Sequence, residues 1–279
     1  MDAKKLTAEE KAVLSPKEYR LMARRGEWPI DEIPRLCCEG YSQHALVIIP
    51  QDYAFEFLTF CVRNPRACYV SDICEPGLPH PMLLAPDADV RTDCNRYRVY
   101  KDGEVIDEPT DVMKYWRDDL ASFLLPCSFG FEGVLRKYNV KFRYMGAFTT
   151  NLRPIPAGRF RPEHMVATCR LFETRRDAVR AIQITSRLPV SHGDPIHIGD
   201  PAYIGIKDIT RPDIWPCLPV SPPEPNEVML YWACAMTPEY AIKAAKPPLA
   251  IMHYPAMVFI SDHLTEEFAY TEEIGSNLV

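Results

Sequence analysis

The chain has 279 residues, a net charge of -6, 47% apolar and 25% charged residues, enough to bury a sizeable core in one large or two modest domains. That acidic balance excludes the concentrated basic face of a nucleic-acid binder, and the longest apolar runs, residues 44–50 and 257–260, fall far short of a membrane span. A small molecule is the expected partner, without nucleic acid or membrane, and the composition is compatible with a homo-oligomer.

The N-terminal twenty residues are charged and lack the apolar stretch of a signal peptide. Ten cysteines occur without a C-x-x-C pair, so they are expected as reduced, mostly buried thiols in the cytoplasm or an organellar matrix. The 27 prolines, roughly twice the ordinary frequency, imply short elements and rigid loops.

In chain order, Thr7 with Glu10 and Ser15 with Glu18 form two capping-box patterns, the second followed by Pro16, and predict two short helices. Residues 41–50 read as a buried strand, and residues 52–63 as a helix that Asn64 and Pro65 stop. A short strand over 67–73 leads to a turn-rich loop at 75–81. Alternation on both sides of Asp102-Gly103 predicts a hairpin over 96–109. Residues 110–125 place Val112, Met113, Trp116, Leu120 and Phe123 on one helical face behind a Thr110 or Asp111 cap, and predict a helix.

Strands are expected over 141–148 and 164–172, followed by a helix beginning near Asp177. The last third reads as a strand-like stretch at 197–206, a proline loop at 216–227, a strand over 228–236, a helix opening at Thr237-Pro238 and a strand over 256–262. This alternation predicts an α/β class. The expected architecture is a two-domain mixed α/β fold, with residues 1–120 and 200–279 as the larger α/β domain and residues 121–199 as a smaller inserted α+β domain. No internal repeat is evident.

P-loop, G-x-G-x-x-G, G-x-S-x-G, H-E-x-x-H and paired C-x-x-C patterns are all absent, which removes the common nucleotide, hydrolase and zinc templates. What remains is a set of polar clusters. Residues 186–201 hold His192 and His197 on a proline- and glycine-rich loop, with Asp200 three residues on and placed to orient an imidazole. A structural turn explains that loop as well as a catalytic site does, and a metal site explains it less well. Cys127 is a candidate nucleophile or a buried inert thiol. Glu132, flanked by Phe129 and Phe131, is a candidate general acid with a raised pKa, or a helix-start glutamate. Thr149, Thr150 and Asn151 offer neutral donors for an oxyanion or carboxylate, or turn chemistry. Arg170 in a strand and Arg187 before the histidine loop each need a carboxylate partner, internal or from a substrate.

An ordered series of stretches carries a family resemblance: "GYSQHALVIIP", "FCVRNPRAC", "VRTDCNRYRVYKDG", "WRDDLASFLLPCSFGFE", "TTNLRPIPAGRF", "ITSRLPVSHGDPIHIGDP", "IGIKDITRPD", "YWACAMTP" and "MHYPAMVFISD". The series runs over residues 40–262 and resembles the D-glutamate cyclase-like hydro-lyases. The resemblance implies a two-domain α/β fold and loss of water, in the best-known case closing D-glutamate to 5-oxo-D-proline. It also implies a divalent metal, manganese, as a cofactor, with no ligands assigned.

The matching polar positions are Gln43, Asn64, Arg91, Asp93, Cys127, Ser128, Glu132, Asn151, Arg170, His192, His197, Asp200, Cys234 and His253. Three positions depart from the family pattern: Ala45 replaces an asparagine, Thr149 an arginine and Ala235 a glycine. On this resemblance and the residue types, the expected catalytic group is His192 or His197 as base with Asp200 orienting it, Glu132 or the other histidine as acid, and Cys127 as the alternative nucleophile. Substrate contacts are expected from Asn151, Thr150, Ser128, Arg170, Arg187, Gln43, Asp93 and His253. The expected function is a hydro-lyase acting on a small amino-acid-like or carboxylic-acid substrate. The alternatives are a hydratase or dehydratase of an unsaturated or hydroxylated amino-acid derivative, and a non-catalytic ligand-binding module.

Overall fold

The structure is a computed structural model and describes residues 6–214 and 219–270. Both capping boxes form as the sequence predicts, opening α1 (Ala8–Ala12) and α2 (Pro16–Arg24). α2 is held down by two arginines: Arg20 donates to the Ile260 carbonyl and to Asp262, and Arg24 forms a two-point pair with buried Asp93. β1 (Tyr41–Pro50) then runs through the core and is followed by α3 (Gln51–Arg63), α4 (Pro65–Cys68) and β2 (Asp72–Cys74). Asn64 marks the α3 stop by bonding the Phe60 carbonyl and both backbone groups of Ile155.

The hairpin β3 (Tyr97–Lys101) and β4 (Glu104–Asp107) turns on Asp102 and Gly103, both at positive φ, as a two-residue turn of this type requires. The helix expected over 110–125 does not form. A 3-10 turn at Met113–Tyr115 precedes β5 (Leu120–Pro126), a wholly buried strand that pairs with β1 on one side and β2 on the other. An apolar run of that length fits a central strand as well as a helix face, and here sheet pairing overrides the helical period.

α5 (Phe129–Lys137), β6 (Arg143–Thr149), β7 (Val166–Phe172) and α6 (Arg175–Thr185) follow, with Thr174 capping α6 by accepting from the Asp177 amide. The chain continues through β8 (His197–Ile198), β9 (Val228–Ala233), α7 (Thr237–Ala245), β10 (Ala250–His253) and β11 (Phe259–Leu264). Residues 215–218 of the expected proline loop lie outside the described residues. Among the described residues no helix is long and apolar enough to cross a membrane, and the nine cysteines are buried free thiols.

Two antiparallel sheets result. The first has the order β2-β5-β1-β10-β3-β4, with β11 also pairing to β1, and the second the order β6-β7-β9-β8. The second sheet draws on residues 143–233, so the expected 121–199 segment coincides with neither sheet: β5 pairs in the first and β9 in the second.

Read from β8, the second sheet repeats the first. β8-β9-β7-β6 matches β2-β5-β1-β10, with every neighbouring pair antiparallel. β5 leads through α5 to β6 in the other sheet, and β9 leads back through α7 to β10. The two crossovers share one spacing, a cysteine after the strand and a glutamate five residues later: Cys127 to Glu132 and Cys234 to Glu239. So sparse an identity explains why no repeat is evident in the sequence.

The α5 crossover passes close to the start of β1. A Cβ placed on Gly133 would lie 2.7 Å from the Gly40 amide nitrogen. Gly133→Ala should therefore destabilise the protein by roughly 1–3 kcal/mol through overpacking, against a helix-propensity gain of about 1 kcal/mol. Chemical denaturation measures the difference.

Three histidines are sealed inside. Burial pushes His44 down to about 3 and His192 and His253 down to about 4. Each is neutral when folded and takes up a proton once unfolded below about pH 6.5, so stability is full above that pH and falls as pH drops toward 4. With three protons, the steepest slope is about 4 kcal/mol per pH unit. Denaturation midpoints between pH 7 and 4.5 should drop accordingly and lose most of that slope in a triple His→Gln variant.

Candidate active site

The two crossover turns meet. Cys127, Ser128 and Phe129 on one side and Cys234, Ala235 and Met236 on the other line a single cavity of about 30 Å³. Ser128 and Met236 are the N-cap residues of α5 and α7, and neither helix has a side-chain cap. Each cysteine sulfur instead receives the amide two residues on, Phe129 for Cys127 and Met236 for Cys234. Two helix N-termini, each carrying about half a positive charge, therefore open on the same space. Ala45 of β1, Thr168 of β7, Tyr144 and Ala147 of β6, His253 of β10 and the loop at 255–258 complete most of the wall.

Behind this wall lies a buried ion network. Arg170 donates to Glu132 through Nη2 at 2.7 Å and Nε at 3.1 Å, to Thr168 Oγ1 through Nη1 at 2.6 Å and to Ser128 Oγ through Nη2 at 2.9 Å. Arg35 takes the other carboxylate oxygen of Glu132 at 2.7 Å. Both guanidiniums pack on the Tyr144 ring, and Arg170 also on Phe131 and Trp232.

Burial alone would raise the Glu132 carboxyl, but the Arg35 and Arg170 guanidiniums and their hydrogen bonds reverse this and hold it below the ordinary carboxylate range. The expectation of a protonated acid between two phenylalanines is thereby corrected: Glu132 is an ionised counter-charge. The thiols are not activated either, because burial pushes Cys127 up to about 12 and Cys234 up to about 11. His253 packs Nδ1 against the Leu46 amide and carbonyl at 3.3 and 3.4 Å, which leaves Nε2 as its free nitrogen.

The remaining expected residues lie elsewhere. His192 sits in the left-handed region at φ 73 and bonds the Arg66 carbonyl through Nδ1; it is not in the cavity wall, and its Nε2 is buried without a partner. His197 bonds the Asp200 backbone carbonyl and packs on Tyr203 and Tyr231. The Asp200 carboxylate instead accepts from the Ala202 amide and caps a 3-10 turn, so it does not orient either imidazole. Thr150 is satisfied by the Met165 carbonyl and, with Asn151, lines a separate cleft of about 380 Å³ beside Lys207 and Arg211.

Arg187 borders a third depression near Tyr270, and Gln43 Nε2 reaches only the Pro34 and Cys37 carbonyls at 3.5 Å. Asp93 clamps α2, and Arg91 pairs with Asp89. Of the expected set, the structure gathers Cys127, Ser128, Glu132, Arg170 and His253. It adds Thr168, Tyr144 and Arg35. Thr168 was legible, since two residues before Arg170 on a strand is the same face; Arg35, in a loop, left no such signal.

The donors do not fit manganese. That hard ion takes carboxylate, carbonyl and water oxygens, whereas the wall offers two protonated thiols, hydroxyls and one imidazole, and among the described residues no cluster of three His, Cys, Asp or Glu is placed to hold a metal.

Residues 121–262 match the model of the family described as D-glutamate cyclase. A protein of Bacillus licheniformis named "putative hydro-lyase" is 41% identical over 261 residues, covering 91% of this chain and 97% of that protein. Proteins with the same printed description from Geobacillus kaustophilus and Bacillus subtilis are 42% and 39% identical, covering 92% of this chain in each case and 97% and 99% of the relatives. The family match covers both crossover turns, Arg170 with Glu132, Thr168 and Ser128, and His253, and the chain belongs to the D-glutamate cyclase family.

Proposed function

We propose that the chain is a hydro-lyase that removes water from, or adds it to, a small carboxylic acid held between the two crossover turns. The observation that carries this reading is the convergence of two helix N-termini, the Ser128 and Thr168 hydroxyls and the His253 imidazole on one half-open cavity. The printed description of the relatives as hydro-lyases supports it.

In this reading the helix N-termini and the two hydroxyls hold the substrate carboxylate, since preorganised dipoles in a dry site stabilise negative charge without reorganising. His253 moves the proton. In the tautomer whose Nδ1–H donates to the Leu46 carbonyl, Nε2 takes a proton from the carbon next to the carboxylate, and the C–H electron pair becomes the new double bond. The C–O bond on the neighbouring carbon breaks, and the imidazolium returns its proton to the departing hydroxyl, which leaves as water. The imidazole is neutral, burial holding it down at about 4, and a carboxylate bound beside it raises it toward the working range.

A panel of hydroxy and unsaturated carboxylic acids in ¹⁸O-labelled water, read by mass spectrometry, should reveal label exchange or uptake on at least one of them. His253→Gln should then cost about a hundredfold or more in kcat while keeping the unfolding midpoint at neutral pH. Full turnover in that variant would remove His253 from the mechanism.

Glu132→Gln tests the counter-charge role separately. It leaves the Arg170 charge buried without its carboxylate, and denaturant titration should show a loss of about 3–5 kcal/mol. A stably folded, inactive Glu132→Gln protein would instead restore Glu132 as the acid.

A further inference from the structure

A second concavity, of about 600 Å³, shares Arg35 with the Glu132 network. Its wall carries four cations, Arg35, Arg136, Lys141 and Arg143, against two carboxylates, Glu173 and Glu227. That is a local positive excess on a chain whose net charge is -6. The volume lies in the range of small-ligand sites.

The four cations differ in how far the protein itself satisfies them. Arg143 donates to Glu227 at 2.6 Å and to the Ser221 and Pro222 carbonyls at 2.7 and 3.0 Å, so it fixes the wall. Arg136 pairs only through Nε, at 3.1 Å, with Glu39, which does not line the cleft. Lys141 is exposed and forms no hydrogen bond or ion pair with any described residue.

Arg35 is only partly used. Its Nε donates to Glu132 at 2.7 Å and its guanidinium lies 4.5 Å from the centre of the Tyr144 ring, which leaves Nη1 and Nη2 without a hydrogen bond to any described residue. The side chain is 20% exposed. Glu132 and the ring therefore hold the planar fork in place, and an oxyanion meets donors that need little further ordering.

A carboxylate brings two oxygens and one charge, whereas a phosphomonoester brings three oxygens and close to two charges at neutral pH. Two guanidiniums with free terminal nitrogens and an unpaired ammonium match the second. Leu36 and Phe142 give the same cleft an apolar side, against which a carbon skeleton attached to the phosphate can pack.

We propose that this cleft binds a small organic phosphate, its phosphate on Arg35, Arg136 and Lys141 and its apolar body against Leu36 and Phe142. The site is separate from the cavity of the proposed reaction and does not rest on that reading. It is nevertheless joined to it: Arg35 bonds Glu132, Glu132 bonds Arg170, and Arg170 bonds Ser128 and Thr168 of the cavity wall. An occupied cleft holds Arg35, and with it the Glu132 carboxylate, in position.

Isothermal titration of the full chain with phenyl phosphate, inorganic phosphate and benzoate at low salt tests it. Phenyl phosphate should bind at one site, roughly tenfold tighter than inorganic phosphate because its ring is buried, and roughly tenfold tighter than benzoate, which brings the same ring with a single charge. Lys141→Ala and Arg136→Ala, both at exposed positions, should each weaken phenyl phosphate about fivefold and leave the unfolding midpoint unchanged. Arg35→Lys keeps a charge but not the fork and should weaken it more than either; if that variant does not fold, the two exposed variants carry the measurement. No saturable binding of phenyl phosphate, binding of benzoate as tight as that of phenyl phosphate, or unchanged affinity in both Lys141→Ala and Arg136→Ala would overturn the proposal.

Discussion

Arg170 cannot be buried without Glu132, and much of the architecture follows from that requirement. Both side chains are fully enclosed, and a charge taken out of water is tolerated only when paired and hydrogen-bonded on every side. Arg170 belongs to the second sheet and Glu132 to the helix that leaves the first, so the pair fixes how α5 is rotated as it crosses. Arg35 completes the carboxylate from a loop more than ninety residues earlier in the chain, which ties the N-terminal segment to the same point. The network is satisfied in full, the condition under which a buried polar cluster specifies one arrangement instead of weakening it.

The second crossover repeats the device with a different balance. Glu239 on α7 reaches back to Arg98 of the first sheet at 3.2 Å and is joined by Lys243 at 2.7 Å, whose side chain is 45% exposed. Solvent screens this pair more than the Arg170 pair. Each crossover helix is thus bonded to the sheet it crosses toward, and the cavity forms where the two turns pass one another. Its walls are uncharged because each glutamate, five residues beyond its cysteine, has been carried away from the cavity to meet its arginine.

Local chemistry was legible in the sequence wherever a few neighbouring residues decide the outcome. Thr7 with Glu10, Ser15 with Glu18, the Asp102-Gly103 turn and Pro238 at the start of α7 all act within one turn of chain. Leu120–Pro126 was not legible in this way, because its state depends on β1 and β2 lying on either side. The site divides along the same line. That a buried Arg170 needs a carboxylate follows from its strand setting, but that Glu132 is the partner follows only from the crossover. The two phenylalanines beside Glu132 in sequence point to a raised carboxyl pKa; the arginines beside it in space decide the opposite. His192 and His197, five residues apart, part company because residues 192 and 193 both take positive φ and turn the first imidazole inward.

The positions where this chain departs from its family pattern acquire a physical meaning from the repeat. Ala45 and Ala235 line the cavity together with Thr168 and Ser128, while Thr149 lies in the neighbouring cleft, its hydroxyl engaged with the Tyr240 hydroxyl at 2.7 Å. An asparagine at position 45 would place an amide in the cavity wall. With alanine there, the position equivalent to Thr168 offers a methyl in place of a hydrogen-bonding group. Each half carries one hydroxyl and one methyl, Ser128 with Ala45 and Thr168 with Ala235, and the two hydroxyls come together on the Arg170 guanidinium.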